Sequence, residues 1–162
     1  MVTIRETKEN DLPDVQRLWA DGDVMKFVGF PEGLHETDEA MARWYQWIST
    51  ARPRVNHYSV FDNGVYCGES FYAIDPDHEN AAALDIKLLS FARGKGIATQ
   101  ALSYAIEQAF QNSASKVWVD PNPANTKALA LYTRLGFEQK PMPRYLLQGE
   151  APTSIYMERT QS

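Results

Sequence analysis

From Val2 to Lys8 apolar and polar residues alternate, Val2 and Ile4 against Thr3 and Arg5, and this period of two predicts a first strand. The period then lengthens. Leu12, Val15, Leu18 and Trp19 share one face of a helix that Asn10 or Asp11 would cap, with Pro13 in its first turn. Phe27 to Leu34, with Gly29, Pro31 and Gly33, reads as a loop. A second helix starts at Thr37 or Asp38, carries Met41, Trp44, Tyr45 and Ile48 at helical spacing, and ends at Arg52-Pro53. His57–Asp62 and Val65–Ile74 flank Asn63-Gly64, the strongest hairpin signal in the chain. A polar turn follows, and then a strand through Ala82–Leu89. From Ile97, apolar residues at Ala98, Ala101, Leu102, Ala105, Ile106 and Ala109 predict a helix of about four turns, buried on one side. Lys116–Asp120 is a short strand. Asn125 caps a helix bearing Ala128, Leu129, Leu131, Tyr132 and Leu135, which Gly136 ends. Phe137–Met142 and Ser154–Arg159 complete the order as two strands, separated by a loop with two prolines and a glycine. The sum is a mixed α/β domain with at least one β-α-β crossover, which is right-handed by rule.

Composition changes this picture little. The 162 residues suit one domain, residues 1–162, and 44% apolar with 23% charged is an ordinary globular balance. No apolar run approaches the roughly 20 residues of a membrane span. The first eleven residues lack the basic start and apolar stretch of a secretory leader. Cys67 is the sole cysteine, so no internal disulfide forms and a reducing, cytoplasmic setting is expected. A net charge of −5 speaks against a nucleic-acid partner. His35, His57 and His78 show no ligand spacing, so no metal is expected.

The chemistry gathers at Arg93–Ala98, RGKGIA. A strand runs into a turn holding Gly94 and Gly96, and the turn opens into a helix. The first amides of a helix lack internal partners and sit at the positive end of its dipole, which makes an anion site. The two glycines let the backbone bend and approach a ligand, and Arg93 and Lys95 add charge beside it. A pyrophosphate would be held by backbone N–H groups from Lys95 to Thr99. A plain surface turn fits the same residues. A P-loop lacks its Gly-Lys-Ser/Thr ending here, and a dinucleotide fingerprint lacks its third glycine.

Arg93-Gly94-Lys95-Gly96-Ile97-Ala98 resembles the Arg/Gln-x-x-Gly-x-Gly/Ala motif of the GNAT superfamily of acetyl-CoA-dependent N-acetyltransferases. A second element stands about thirty residues on, as in that family: Asn125, Ala128, Tyr132 and Gly136-Phe137. Asp120-Pro121-Asn122-Pro123-Ala124-Asn125 is similar to the stretch before this element in aminoglycoside 6′-N-acetyltransferases. The resemblance implies a central, mostly antiparallel sheet with splayed parallel strands and flanking helices. It implies acetyl-CoA as co-substrate, with backbone groups around Leu88, Leu89 and Ser90 pairing with pantetheine. The residues from Arg93 through Gly94, Lys95, Gly96, Ile97 and Ala98 to Thr99 would hold the phosphates, and Asn125 would contact the pantetheine arm. The thioester would lie between the strands of Leu84–Leu89 and Lys116–Asp120. The loop and helix after the first strand would shape the acceptor site, so Phe27–Glu36 would set specificity and Trp47 would line the pocket.

Transfer to an amine needs a neutral nucleophile, a stabilised carbonyl oxygen and a proton for the departing thiolate. Tyr132, a phenol with a pKa near 10, is protonated at neutral pH and suits the last role. A backbone N–H near Leu88 or Leu89 suits the second. A primary amine is only about 0.1% neutral at pH 7, and Glu69 and Asp85 are the carboxylates best placed to remove its proton. Asp120 would hold a cationic acceptor. Cys67 has no assignable His or carboxylate partner and reads as a small strand residue. The sequence therefore points to acetyl transfer from acetyl-CoA to a primary amine, on a small molecule or a protein N-terminus. A non-catalytic module of the same fold that senses CoA thioesters is the alternative. The late loop and final strand are a plausible dimer contact.

Overall fold

The computed structural model describes residues 1–147 and 152–161. In order these form β1 (Val2–Glu6), α1 (Leu12–Trp19), α2 (Gly22–Met25), α3 (Asp38–Ala51), β2 (Val55–Asp62), β3 (Val65–Asp75) and β4 (Ala81–Leu88). They continue with α4 (Ile97–Gln111), β5 (Lys116–Val119), α5 (Thr126–Arg134), β6 (Glu138–Gln139), α6 (Arg144–Leu147) and β7 (Met157–Thr160). The strands make one sheet in the order β1-β2-β3-β4-β5-β7-β6. Every pairing is antiparallel except β4 with β5, which the α4 crossover makes parallel.

Helices cover both faces. Leu102, Ala105, Ile106 and Ala109 of α4 bury Tyr58, Tyr72, Leu84 and Val117 of the sheet, and Tyr132 and Leu131 of α5 join the same core. On the other face Val15 and Leu18 of α1, Met41 of α3 and Tyr66 form a second cluster, against which Trp19 and Trp44 pack. Trp44 thus joins Met41 in the core, as its spacing predicts.

Several elements differ from the sequence reading. Asp11 does not cap α1 with its side chain; its carboxylate takes two hydrogen bonds from Arg5 and one from the Lys8 amide, and it closes a short 3-10 turn, Glu9–Asp11, ahead of the helix. The segment before Phe30 is helical rather than loop. Asp21 accepts from the Asp23 and Val24 amides to start α2, a 3-10 turn Lys26–Val28 follows, and Gly29 ends it in the left-handed region. Thr37 caps α3 as expected, accepting from the Ala40 amide. The strand expected over Phe137–Met142 shrinks to Glu138–Gln139, because Phe137 turns into the core beside Tyr132. The last strand begins later, at Met157, and the proline-containing loop carries the unforeseen α6. Gly149 of that loop lies outside the described residues.

The feature that builds the site is the divergence of β4 from β5. The two pair only over Ala81–Ala83 against Lys116–Trp118, so from Leu84 onward the strands part. The Leu89 amide donates to Cys67 O, which makes Gly68–Leu88 the non-hydrogen-bonded type of antiparallel pair. Alternation then turns the peptide groups of Leu84, Ile86 and Leu88 away from β3 and toward the gap. Gly68 permits this close pairing, since a Cβ there would meet Lys87 O at 2.0 Å.

Candidate active site

Two connected cavities occupy the gap. The larger, about 630 Å³, runs from the RGKGIA turn to α5; its walls include Leu88, Arg93, Gly94, Gly96, Ala98 and Thr99 on one side and Asn125, Ala128 and Leu131 on the other. The smaller, about 120 Å³, lies deeper between the strands, with Asp85, Asp120 and Tyr132 among its walls. Val24, Phe27, Ile86, Lys87, Asn125 and Ala128 line both, so the two form one cleft.

Gly94 and Gly96 hold φ near 78° and 77°, in the left-handed region. The turn therefore needs glycine for its backbone, and the space where a Cβ would stand is open. Gly96 is the N-cap of α4 and offers no side chain, so the first amides of the helix keep their donors. The Ile97 side chain is buried in the core and walls neither cavity. Lys95 is exposed beside the turn but walls neither cavity. Arg93 differs from its expected role. Its guanidinium donates twice to Leu88 O, at 3.0 and 3.2 Å, and once to Asp23 at 2.8 Å, so its charge ties α2 to the end of β4.

The backbone donors also sort differently from the sequence reading. Leu89 cannot offer its N–H to an oxyanion, because Cys67 O already accepts it. Ser90 opens a 3-10 turn whose end it closes by accepting from the Arg93 amide. Neither residue walls the cavities. Leu88 does face the gap, and sequence reasoning missed Ile86, whose peptide lies deeper, next to the small cavity. At present the Ile86 amide donates to Asp85 Oδ1 at 2.9 Å. The two-residue alternation along β4 was the available signal for Ile86.

Asn125 caps α5, its Oδ1 accepting from the Ala128 amide at 3.2 Å, and the residue lines both cavities. The cap aims the first turn of α5 at the gap, which brings Tyr132 two turns later to the floor of the small cavity. Tyr132 is 6% exposed. Burial first, and then the charges of Asp85 and Asp120, push its phenol above the ordinary value, so it is a proton donor throughout the neutral range.

The carboxylates separate into two kinds. Glu69 is a correction to the sequence reading: it lies outside both cavities, 3% exposed, on the face covered by α1. It accepts from Trp19 Nε1 at 2.7 Å, its Oε1 stands 3.1 Å from His57 Nε2, and its Oε2 lies 3.7 Å from Lys87 Nζ. Burial alone would raise its pKa, but the charges of His57 and Lys87 and the Trp19 hydrogen bond hold it at about 2. A carboxylate that acidic does not draw a proton from an ammonium. Asp85 reaches the cleft as expected but is clamped by Lys87. Burial works against the Lys87 charge, yet Asp85 and Glu69 hold the ammonium above its ordinary value. Asp120 has no cation partner among the described residues. Desolvation by the cleft walls, and then the charge of Asp85, raise its pKa, a rise that solvent screening reduces because the residue is exposed at the mouth.

Trp47 is exposed on α3 and lines neither cavity, so the wall expected of it falls instead to Val24, Phe27 and Val28. Burial pushes the Cys67 thiol up, and the residue sits in the β2–β3 bulge as a small strand side chain. Among the described residues no group of three His, Cys, Asp or Glu could hold a metal ion, and no helix is long and apolar enough to cross a membrane.

Where β4 and β5 part, the cleft thus runs from a glycine-turned helix start to a buried tyrosine. The chain belongs to the GNAT acetyltransferase family: the family model described as an acetyltransferase (GNAT) domain matches residues 1–138. Solved structures agree in fold. A GNAT-family acetyltransferase from Streptococcus pneumoniae superposes with a TM-score of 0.82 at 18% identity, covering 100% of both chains. Spermidine N-acetyltransferase from Vibrio cholerae, solved with CoA and spermine, gives 0.80 at 19% identity over 99% of this chain and 95% of its own. A phosphinothricin acetyltransferase from Sinorhizobium meliloti, solved with acetyl-CoA, gives 0.80 at 20% over 99% and 89%. No curated protein matches the sequence.

Proposed function

We propose that this acetyltransferase moves the acetyl group of acetyl-CoA directly to a primary amine, with Asp120 as the proton acceptor and Tyr132 as the proton donor. The observation that carries the reading is that one small cavity, at the point where β4 and β5 part, is walled by Asp120, a carboxyl without a cation partner among the described residues, and by the buried phenol of Tyr132. The pyrophosphate would rest on the first amides of α4 and the pantetheine between Leu88 and Asn125. Binding of CoA by two of the fold relatives supports this placement.

The steps balance without a further reagent. Asp120, directly or through water, takes a proton from the acceptor ammonium. The neutral nitrogen attacks the thioester carbon, and the oxygen gains negative charge near the Ile86 amide once Asp85 Oδ1 gives it up. As the C–S bond breaks, Tyr132 gives its proton to the sulfur. The second proton on the nitrogen returns through water to the Tyr132 phenolate, and Asp120 releases its proton to solvent. An oxyanion donor of this kind is worth on the order of 10²-fold or more in rate. A raised pKa helps Asp120, since a base works best when its pKa approaches the working pH. The single buried cysteine and the need for acetyl-CoA support a cytoplasmic setting.

The test is acetyl-CoA-dependent thiol release over a panel of amines, with Tyr132→Phe beside the native chain. Turnover that depends on an amine and falls in the variant is expected. A native rate in the variant would remove Tyr132 from the donor role.

A further inference from the structure

The chemistry of the acceptor is written in which charges of the cleft are already spent. The acidic residues lining the two cavities are Asp23, Asp85 and Asp120. Asp23 is held by Arg93 at 2.8 Å and by Lys26 at 3.2 Å. Asp85 is held by Lys87, whose other side faces Glu69. Among the described residues that line the cleft, Asp120 is the acid left for an incoming cation. Lys87, placed between two carboxylates, likewise has no charge to spare for an acceptor carboxylate or phosphate.

The remaining walls of the small cavity combine the neutral polar groups of Asn122, Asn125 and Tyr132 with an apolar side. Val24, Phe27 and Val28 close it from the α2 side, and Leu84 and Val119 from the strands. Val28 is half exposed, so the apolar wall continues to the mouth of the cleft. The cavity holds about 120 Å³, well short of the roughly 300 Å³ at which pockets begin to enclose drug-sized ligands. A second ammonium on the acceptor would find no unpaired carboxylate among the described side chains, only the neutral groups of Asn122, Asn125 and Tyr132, which is costly for a charge.

Resting on the reading of the site as an amine acetyltransferase, we propose that the acceptor is a small primary monoamine with an apolar arm. Its ammonium is taken by Asp120 and its arm by Val24, Phe27 and Val28. Polyamines, aminoglycosides and amino acids with anionic groups present charges that this cleft does not match. Val28 is the specificity-determining position at the mouth.

The experiment compares kcat/KM for thiol release from acetyl-CoA with 2-phenylethylamine, 3-methylbutylamine, 1,5-diaminopentane, spermidine, kanamycin and an alanyl peptide. The apolar monoamines are expected to lead by about tenfold or more, the usual yield of a filled apolar pocket. A polycation or the peptide at equal or higher kcat/KM overturns the proposal and leaves the acetyltransferase reading intact. Thiol release with none of the amines, while acetyl-CoA still binds, removes that reading and the proposal with it. Val28→Asp adds a second carboxylate at an exposed position that the fold does not need. It is expected to shift the preference toward 1,5-diaminopentane over 3-methylbutylamine by about threefold, the scale of a solvent-screened ion pair. An unchanged ratio, with an unchanged far-ultraviolet spectrum, overturns the assignment of the arm to this wall.

Discussion

Two aspartates share one cleft, and their neighbours divide the labour between them. Lys87 neutralises Asp85 and so leaves Asp120 as the group that can exchange a proton with the acceptor. Because the Asp120 pKa is raised, the acid limb of the kcat/KM profile should lie above the range of an ordinary carboxylate. Asp120→Asn should remove that limb and lower the rate, read from pH profiles of both proteins. Tyr132→Phe should lower kcat by on the order of 10²-fold while KM for acetyl-CoA changes little, since only the departing sulfur loses a partner. Glu69 acts on stability instead. Its folded pKa, about 2, lies below the usual carboxylate value, so its contribution is present above that value. The contribution is lost as pH falls toward 2. Glu69→Gln leaves Lys87 paired with Asp85 alone, weakens the hydrogen bond from Trp19, and should cost about 2 kcal/mol at neutral pH, the scale of a hydrogen bond to a charged group. The gap in Tm between the two proteins should narrow below about pH 4.5, where the carboxylate of the unfolded chain begins to protonate while the folded one stays charged. A gap that stays constant to pH 2 would exclude the buried pairing.

At the scale of elements, the cleft depends on a helix that starts without a side-chain cap and on a strand that leaves its neighbour. Gly96 has φ 77°, which an L side chain adopts at a cost of about 1–2 kcal/mol. Gly96→Ala should therefore weaken acetyl-CoA binding by roughly tenfold, measured by calorimetry, and lower Tm by a few degrees. The short α2 is tied to the phosphate turn through the Asp23–Arg93 bond. The segment that walls the acceptor cavity is thus fixed by a residue of the cofactor motif. This coupling was hidden in the sequence because Arg93 and Asp23 stand seventy positions apart, and the motif presents Arg93 as a phosphate ligand. The Asp21 cap and the left-handed Gly29 were legible as local signals for the short helical turns, but they look the same as loop punctuation when no long apolar period accompanies them.

For the whole molecule, binding of acetyl-CoA between the two halves of the sheet should link them and raise stability. At a ligand concentration of about 100 Kd the gain is about 2.7 kcal/mol. For a chain of this size that corresponds to roughly 5–10 °C in Tm. A thermal shift with acetyl-CoA, against ATP and NAD at the same concentration, checks this, and equal shifts with all three would contradict the assignment of the cleft. The long helices, most of the strands and the parallel crossover were written in local pattern. Glycines at a strand-to-helix turn, the cap at Asn125 and the tyrosine seven residues after it are close in sequence, and their geometry follows from helix and turn rules. Only the tertiary structure decided the acceptor side. It buried Glu69 under α1, set Lys87 against Asp85, and left Asp120 without a cation, because these charges come from different strands and their pairing depends on sheet register. A carboxylate's role is fixed by what surrounds it, and the chain brings those surroundings together only when it folds.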